Sequence, residues 1–363
     1  MRTGVLGGSF NPVHSQHIQM ALAAKEQFAL EEVWFVPVFQ PVHKPGGTLL
    51  AYGARRELVQ IAVNDHAGLC VCDIEQELGG ASYTVRTVAE LQTRYHDRQF
   101  FLLIGGDSLN ELHSWREIKR LVRMVEFIVV ARPGYQPVSS VPDARLHWAE
   151  CPLSPISASA IRASLGRHEF SDLCLSHDVL FNILLNDYYD SFGEPYRNWL
   201  KIITRQLCQL PDGLVTHIMS VAALAVKYGL EAGLDPRLCI LAGLAHDLFR
   251  AARPTELFAF ARFCGTSLSE VESRLPMLAH GAAAAGFLRQ RIPAISSDIV
   301  DAVRWHTFPA DDSPLLTRIL VLADTLEPSR AIAERDALRQ ADMSLNERYR
   351  RVLELKHKTS QGH

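Results

Sequence analysis

The sequence predicts an α/β domain built on a parallel sheet, followed by an all-α domain. Three observations carry that reading. Up to about residue 165, short apolar runs alternate with amphipathic stretches. Beyond about residue 195 the strand-like runs vanish and only helical spacing remains. The chain's 363 residues exceed the usual size of one hydrophobic core, so two domains are the default. The polar stretch NDYYDSFGEPYRN (186–198), broken by Gly193 and Pro195, separates them and sets the expected domains at 1–190 and 196–363.

In the first half, TGVLGG, EVWFVPV, LCVCDIE, FFLLIGG and EFIVVAR read as buried parallel strands. The stretches 17–28, 53–64, 84–95 and 115–123 between them carry helical spacing. That order implies right-handed crossovers with helices on both faces, and it puts ligands at the carboxyl ends of the strands. In the second half, helices are expected near 197–208, 214–230, 236–249, 254–263, 269–288, 296–305, 314–326 and 344–357. Gly, Pro and Asp punctuate them.

The composition is that of an ordinary globular protein, 48% apolar and 21% charged. A net charge of −3 gives no electrostatic reason to expect nucleic acid or a membrane surface as partner. No apolar run reaches bilayer-spanning length, and MRTGVLGG lacks the basic-then-apolar order of a secretory signal, so a cytoplasmic protein is expected. The seven cysteines form no Cys-x-x-Cys pair. Cys70 and Cys72 would share one side of a strand as small hydrophobes in a reducing compartment. The closing HKTSQGH reads as a frayed end.

One loop stands out. GGSFNPVH, with Gly7, Gly8, Ser9 and Phe10, follows the first strand and leads into a helix near Ser15. Glycines there let backbone approach a ligand, and the helix start offers free N–H groups, a combination suited to phosphate. His14 and His17, three apart, can face the same anion. The plainer reading is a tight turn with two half-exposed histidines.

The stretch resembles the GG[ST]F[DN]PxHxGH signature of bacterial nicotinate-nucleotide adenylyltransferases, and the resemblance continues in order for about 185 residues. PVHKP (41–45), ASYTVRT (81–87), LLIGGDSLNELHSW (102–115), ARPGY (131–135) and ISASAIR (156–162) match the family's later motifs. It implies a Rossmann-like nucleotidyltransferase domain that transfers adenylate from ATP to nicotinate mononucleotide, giving deamido-NAD and pyrophosphate, with Mg²⁺ on the triphosphate. In such a reaction the protein mostly positions and neutralises phosphates. By resemblance His14, His17, Lys44, Ser157, Ser159 and Arg162 hold phosphates, while Tyr83, Thr84 and Trp115 frame the pyridine ring. Asp107 supports the nucleotide, and Arg132 lies near the reacting groups. One position departs from the family pattern: Gln16 stands where the family has Gly. It leaves open a second reading, in which this half binds nucleotide as a sensor without turnover.

The helical half carries His217, His246–Asp247, His280, His306 and Asp324, in the contexts LAGLAHDLFR, LAHG, RWHT and VLADTLEPSR. Adjacent His and Asp on a helix project roughly 100° apart, so both can reach one ion. The ordered series resembles the HD-domain metal-dependent phosphohydrolases over about 200–335. Within them it is most similar to the bacterial HD hydrolases that split diadenosine tetraphosphate symmetrically into two ADP. The RWHT context, Pro328 and Arg330 match that subgroup. The resemblance implies one or two transition-metal ions, Fe, Mn, Co or Zn, with His217, His246, Asp247 and Asp324 on the first. His280 and His306, with Asp247 bridging, would hold a second ion or contact phosphate. Arg250 replaces a Lys common in the family after HDLF, and reads either as a phosphate contact or as a surface residue.

The expected protein is therefore bifunctional. Its partners are ATP, nicotinate mononucleotide and dinucleoside polyphosphates, and a homo-oligomer is compatible with the sequence. A helical half serving only as a dimerisation element is the reading from a different class.

Overall fold

The run RTGVLGG forms β1 (Arg2–Gly8), buried from Thr3 through Leu6, as befits a strand covered on both faces. The computed structural model describes residues 1–41, 49–131, 141–152, 157–328 and 333–361. After β1 come α1 (Ser15–Gln27), β2 (Glu32–Pro37), α2 (Tyr52–Val63), β3 (Leu69–Val71), α3 (Ile74–Leu78) and α4 (Thr84–Arg94). Then follow β4 (Gln99–Gly105), α5 (Gly106–Asn110), α6 (Ile118–Met124), β5 (Glu126–Ala131), β6 (Leu146–Glu150), α7 (Ala158–Gly166) and α8 (His177–Leu185).

All six strands run parallel in the order β3-β2-β1-β4-β5-β6. Strand order reverses direction between β1 and β4, so a crevice belongs above their carboxyl ends. Both strands end on glycine there, and a Cβ added to Gly7 or Gly105 would meet no atom within 4 Å. Val33, Phe35, Phe127 and Ile128 are fully buried in the sheet, each contributing roughly 1.5–3 kcal/mol.

Three local readings are corrected. The strand expected over LCVCDIE stops at Val71, and Asp73, its carboxylate held by Arg56 and Tyr52, takes the N-cap position of a short helix, α3. Strand β6 was not expected. It pairs on one side only, and Trp148 at its centre is exposed, so LHWAE shows no apolar run. The helix expected from 115 begins at Ile118, after a tight turn over Leu112–Ser114. All seven cysteines are free, and Cys70 and Cys72 pack half-buried against the sheet's apolar cluster.

The chain forms two compact units, Met1–Arg167 with Asp172–Asn182, and His168–Ser171 with Ile183–His363. The second is helical: α9 (Tyr196–Leu207), α10 (Asp212–Glu231), α11 (Pro236–Ala245), α12 (Pro254–Ala261) and α13 (Glu270–Arg274) come first. After them come α14 (His280–Arg291), α15 (Ser297–Trp305), α16 (Leu315–Leu326), α17 (Ala333–Gln340) and α18 (Leu345–Gln361). The single helix expected over 269–288 is broken at Leu275–Pro276, since proline lacks the N–H and disfavours helical backbone before it. Helix α17 was not expected.

Two glycines set the packing around the later site. A Cβ on Gly243 would stand 2.6 Å from the Ala222 Cα, so α10 and α11 meet at backbone distance. A Cβ on Gly281 would lie 3.0 Å from the Val303 carbonyl and 3.3 Å from the His306 ring, which ties α14 to the end of α15. Against expectation, α10 is long and apolar enough to span a bilayer by length and composition. Its inward face carries buried His217, Ile218 and Val221, as a core helix does.

Candidate functional site

In the first unit, the Gly7–His14 loop crosses from β1 into α1 above the switch point. Phe10 is buried against Phe35, and its ring meets His17 edge-on at 5.0 Å. His14 precedes α1 and its ring lies 3.9 Å from that of His17. The His17 Nδ1 accepts a hydrogen bond from the His14 backbone N–H at 3.2 Å. Nδ1 is therefore unprotonated, and the ring proton of His17 sits on Nε2, available as a donor. Burial pushes His14 down to about 4; burial together with the His14 ring pushes His17 down to about 3. Both are neutral near pH 7. The His14 Nδ1 is buried with no hydrogen-bond partner among the described residues. Gln16, half-buried, occupies the first turn of α1.

Arg162 on α7 reaches this loop. Its Nη1 donates to the Asn11 carbonyl at 2.8 Å and its Nη2 to the Ser159 Oγ at 3.1 Å. Ser157 caps α7, its Oγ accepting from the Ala160 N–H at 3.2 Å. The fold thus brings two motifs, 151 residues apart, to one place. Tyr83 precedes α4, Thr84 opens it, and Asp107 lies exposed on α5 after β4. Tyr83 and half-buried Trp115 pack on one apolar cluster that includes Val85, Val88, Leu109 and Leu112. Lys44 and Arg132 lie outside the described residues, as do most of PVHKP, ARPGY beyond Ala131, Ile156 and Arg330.

Sequence reasoning missed three residues here. Buried Arg55 donates to the carbonyls of Leu50, Ser9 and Val38 at 2.9, 2.8 and 2.7 Å, pinning the phosphate-type loop from below. Its signal was a charge in the apolar spacing Arg55, Leu58, Val59, Val63. Asn11, inside the loop motif, has an Oδ1 that accepts from the Leu50 N–H at 3.2 Å. Arg116 lays its guanidinium over the Tyr83 ring at 4.3 Å, and nothing in the sequence marked it.

In the second unit, six predicted ligands converge. His217 projects from α10, Asp324 from α16 and His280 from the start of α14; His306 follows α15 directly. His246 and Asp247 lie just past the end of α11 rather than within a helix running to 249, His246 keeping helical backbone angles. All six are buried.

Asp247 is the hub. Its Oδ1 lies 3.1 Å from the His280 Nε2 and 3.7 Å from that of His306. Its Oδ2 lies 3.7 Å from the His217 Nε2 and 3.6 Å from that of His246. The Asp324 Oδ1 stands 3.4 Å from the His217 Nε2 and 3.9 Å from that of His246. Two candidate metal-holding sets result, His217–His246–Asp247 and Asp247–His280–His306, sharing one carboxylate.

Each imidazole is held by its far nitrogen. The Nδ1 atoms of His246, His280 and His306 bond the carbonyls of Gly243, Met277 and Val303 at 2.7, 2.8 and 2.8 Å. A carbonyl only accepts, so these rings carry the proton on Nδ1 and turn an Nε2 lone pair inward, as metal ligands do. The His217 Nδ1 instead lies 3.3 Å from the Oε1 of Glu327, fully buried in LEPSR and missed in the sequence. The His246 Nε2 is buried with no hydrogen-bond partner among the described residues. Burial pushes His246 down to about 4. Burial opposes the charge on Asp247, but His246, His280 and His306 hold its carboxyl well below the usual range. Burial likewise opposes Asp324, which His217, and after it Lys356, keep depressed. Inward lone pairs, two buried carboxylates and an orphaned Nε2 are the donor set a divalent transition metal requires. Arg250 places Nη1 3.4 Å from the Asp247 Oδ2, so it faces this cluster. The Thr307 Oγ1, 3.2 Å from both the His280 and His306 Nε2 atoms, was not anticipated.

A parallel sheet with a glycine-rich loop at its switch point, and helices closed around buried His and Asp, describe a nucleotidyltransferase-type domain joined to an HD domain. A cytidylyltransferase-like family model matches residues 5–164, and an HD domain model, which implies divalent-metal binding, matches 214–329. The chain is 40% identical over 168 residues to a protein of Exiguobacterium sibiricum named probable nicotinate-nucleotide adenylyltransferase, covering 46% of this chain and 87% of that one. A protein of the same name from Citrifermentans bemidjiense is 41% identical over 134 residues, which span 37% of this chain and 62% of that protein's own length. Over its first half the chain belongs to the nicotinate-nucleotide adenylyltransferase family. A Clostridium acetobutylicum crystal structure, described as a predicted HD superfamily hydrolase involved in NAD metabolism, is similar at 22% identity and TM-score 0.37, covering 52% of this chain and 86% of that one.

Proposed function

We propose that the chain is a bifunctional cytoplasmic enzyme. Its first half transfers the adenylyl group of ATP to nicotinate mononucleotide, releasing pyrophosphate, and its HD half hydrolyses diadenosine tetraphosphate symmetrically to two ADP. The 40% identity to a named adenylyltransferase across 87% of that relative's length carries the first activity. The burial of four histidines around Asp247 and Asp324 supports the second.

In the first reaction a phosphate oxygen of the mononucleotide bonds to the α-phosphorus of ATP, and the bond to the departing pyrophosphate breaks. Mg²⁺ on the triphosphate would neutralise part of its charge. His17 donates from Nε2 and His14 stands beside it, both neutral, so they offer hydrogen bonds without competing cationic charge. Arg162, fixed by Asn11 and Ser159, supplies the fixed positive charge, with Lys44 and Arg132 assigned by their motifs. Trp115, Tyr83 and Thr84 frame the pyridine ring, and Asp107 supports the bound nucleotide, roles assigned by their motifs. Pyrophosphate release from ATP and nicotinate mononucleotide tests this half, and no turnover overturns it.

In the second reaction the oxygen of water bonds to a phosphorus, the P–O–P bridge opens, and ADP leaves with the bond electrons. A divalent ion held there, Fe, Mn, Co or Zn, would supply Lewis-acid activation of water and neutralisation of the leaving phosphate. His217, His246, Asp247 and Asp324 would hold one ion, and His280 and His306 with Asp247 another. Arg250 is placed to meet a phosphate oxygen. Hydrolysis of diadenosine tetraphosphate with Mn²⁺, Fe²⁺ or Co²⁺ supplied is the test; a metal-loaded chain without it refutes this half.

Gln16, in the first turn of α1, motivates one alternative: a nucleotide sensor attached to an HD hydrolase. Calorimetric ATP binding without product formation distinguishes it.

A further inference from the structure

Helix α18 lies beyond the stretch matched by the HD family model, which ends at residue 329, yet it serves the same cluster. Its buried stripe is Tyr349, Val352 and Leu353, at helical spacing i, i+3 and i+4. The i+7 position of that stripe is Lys356, where an amphipathic helix would ordinarily continue with an apolar residue. The stripe is docked by the Tyr349 hydroxyl, which donates to the Ala310 carbonyl at 2.7 Å. Lys356 is half-buried, and its Nζ donates to the His306 carbonyl at 3.4 Å. Its charge reaches Asp324 as well. An ammonium carried into a half-buried position costs hydration, so a lysine at this register needs an anion to offset it.

Asp324 is such an anion only until it binds a metal. With a divalent ion on the histidines and both aspartates, the local carboxylate charge is taken up, and the ammonium then faces whatever anion approaches the ion. The Arg250 Nη1 lies 3.4 Å from the Asp247 Oδ2, so the cluster carries one cation from the segment after α11 and one from α18.

We propose that Lys356 is a phosphate-binding residue of the HD site, a cation from outside the family-matched segment that holds the oxygens of a phosphoryl group at the metal-holding histidines. The assignment rests on the reading of this half as a phosphohydrolase.

The test uses the full chain loaded with manganese, inorganic phosphate as the probe in calorimetry, and metal content measured alongside. Lys356→Met keeps the length of the stem and suits an apolar stripe, and circular dichroism checks its fold. It should bind phosphate about tenfold more weakly at equal manganese content, the loss of one charge-assisted hydrogen bond. Lys356→Arg should recover most of the affinity. Unchanged phosphate binding in Lys356→Met overturns the assignment. So does tighter manganese binding with unaltered phosphate affinity, which would make Lys356 a counter-charge for Asp324. A manganese-loaded wild type that binds no phosphate overturns it too. Diadenosine tetraphosphate hydrolysis by the wild type is followed in parallel. Turnover there, with phosphate binding unaffected in Lys356→Met, removes only Lys356; no turnover despite bound manganese removes the hydrolase reading.

Discussion

The Nε2 atoms of His280 and His306 lie 3.1 Å apart, and each ring's Nδ1 is engaged by a backbone carbonyl. Two lone pairs turned toward each other at that distance repel unless a cation or a proton sits with them. The Thr307 hydroxyl, 3.2 Å from both nitrogens, can offer its one proton to only one of them, and the Asp247 Oδ1, 3.1 and 3.7 Å away, adds a carboxylate, a donor set suited to a cation.

Metal should therefore stabilise the helical unit. Manganese at a hundred- to thousandfold excess over its dissociation constant adds about 3–4 kcal/mol, seen as a rise in the helical unit's melting temperature that chelation reverses. In His246→Ala, which removes the orphaned buried nitrogen, the rise should shrink or vanish. A chain whose melting ignores every divalent metal would contradict the site.

Arg162 joins its own helix to the loop that precedes α1. Arg162→Ala should lower the rate of pyrophosphate release about a hundredfold, because a fixed cation at the phosphates is lost. Lysine at this position keeps the charge without the two-pronged hold on Asn11 and Ser159, so a partial recovery is expected. The kcat and KM for both substrates are the readout.

Gln16→Gly should lower the KM for ATP while kcat changes by less than about twofold, as removing an obstacle to ground-state binding does. Glycine in the first turn costs helix α1 up to about 1 kcal/mol. An unaltered KM would mean that the glutamine already lies clear of the nucleotide.

His14, with His17 and His246 depressed in the same direction, contributes to the pH dependence of stability. The folded value of His14, about 4, lies below the ordinary 6.5, so the unfolded chain takes up the proton first as pH falls. The stabilisation is whole above pH 6.5 and is lost progressively toward pH 4. Between pH 6.5 and 5 the loss is about 2 kcal/mol. Urea midpoints at pH 7 and pH 5 should fall further apart in the wild type than in His14→Gln.

The sheet, the helical half and the ordered His and Asp series were legible because they rest on period and order, which a sequence carries directly. Five strands showed as apolar runs since strands buried on both faces must be apolar throughout. The sixth, β6, did not, because an edge strand with exposed Trp148 has no such requirement. His217, His246, Asp247, His280, His306 and Asp324 could be named in order, yet the sharing of Asp247 between two sets could not.

Arg55 and Lys356 show where sequence reading fell short in a recoverable way. Both are charges set in an apolar helical stripe, and such a residue must find partners inside the fold. The stripe could have flagged them; only the packed chain names the carbonyls of Ser9, Leu50 and Val38, or of His306. Glu327 behind His217 carried no comparable mark. By itself, then, the sequence determined the two fold classes, the glycine-rich loop and the ordered His and Asp series, since these follow from residue type and local spacing. The tertiary structure decided which distant residues share an atom's neighbourhood: Arg162 with Asn11, and Asp247 with four imidazoles. Those pairings depend on how helices and strands pack, and packing is set by the whole core at once rather than by any local stretch.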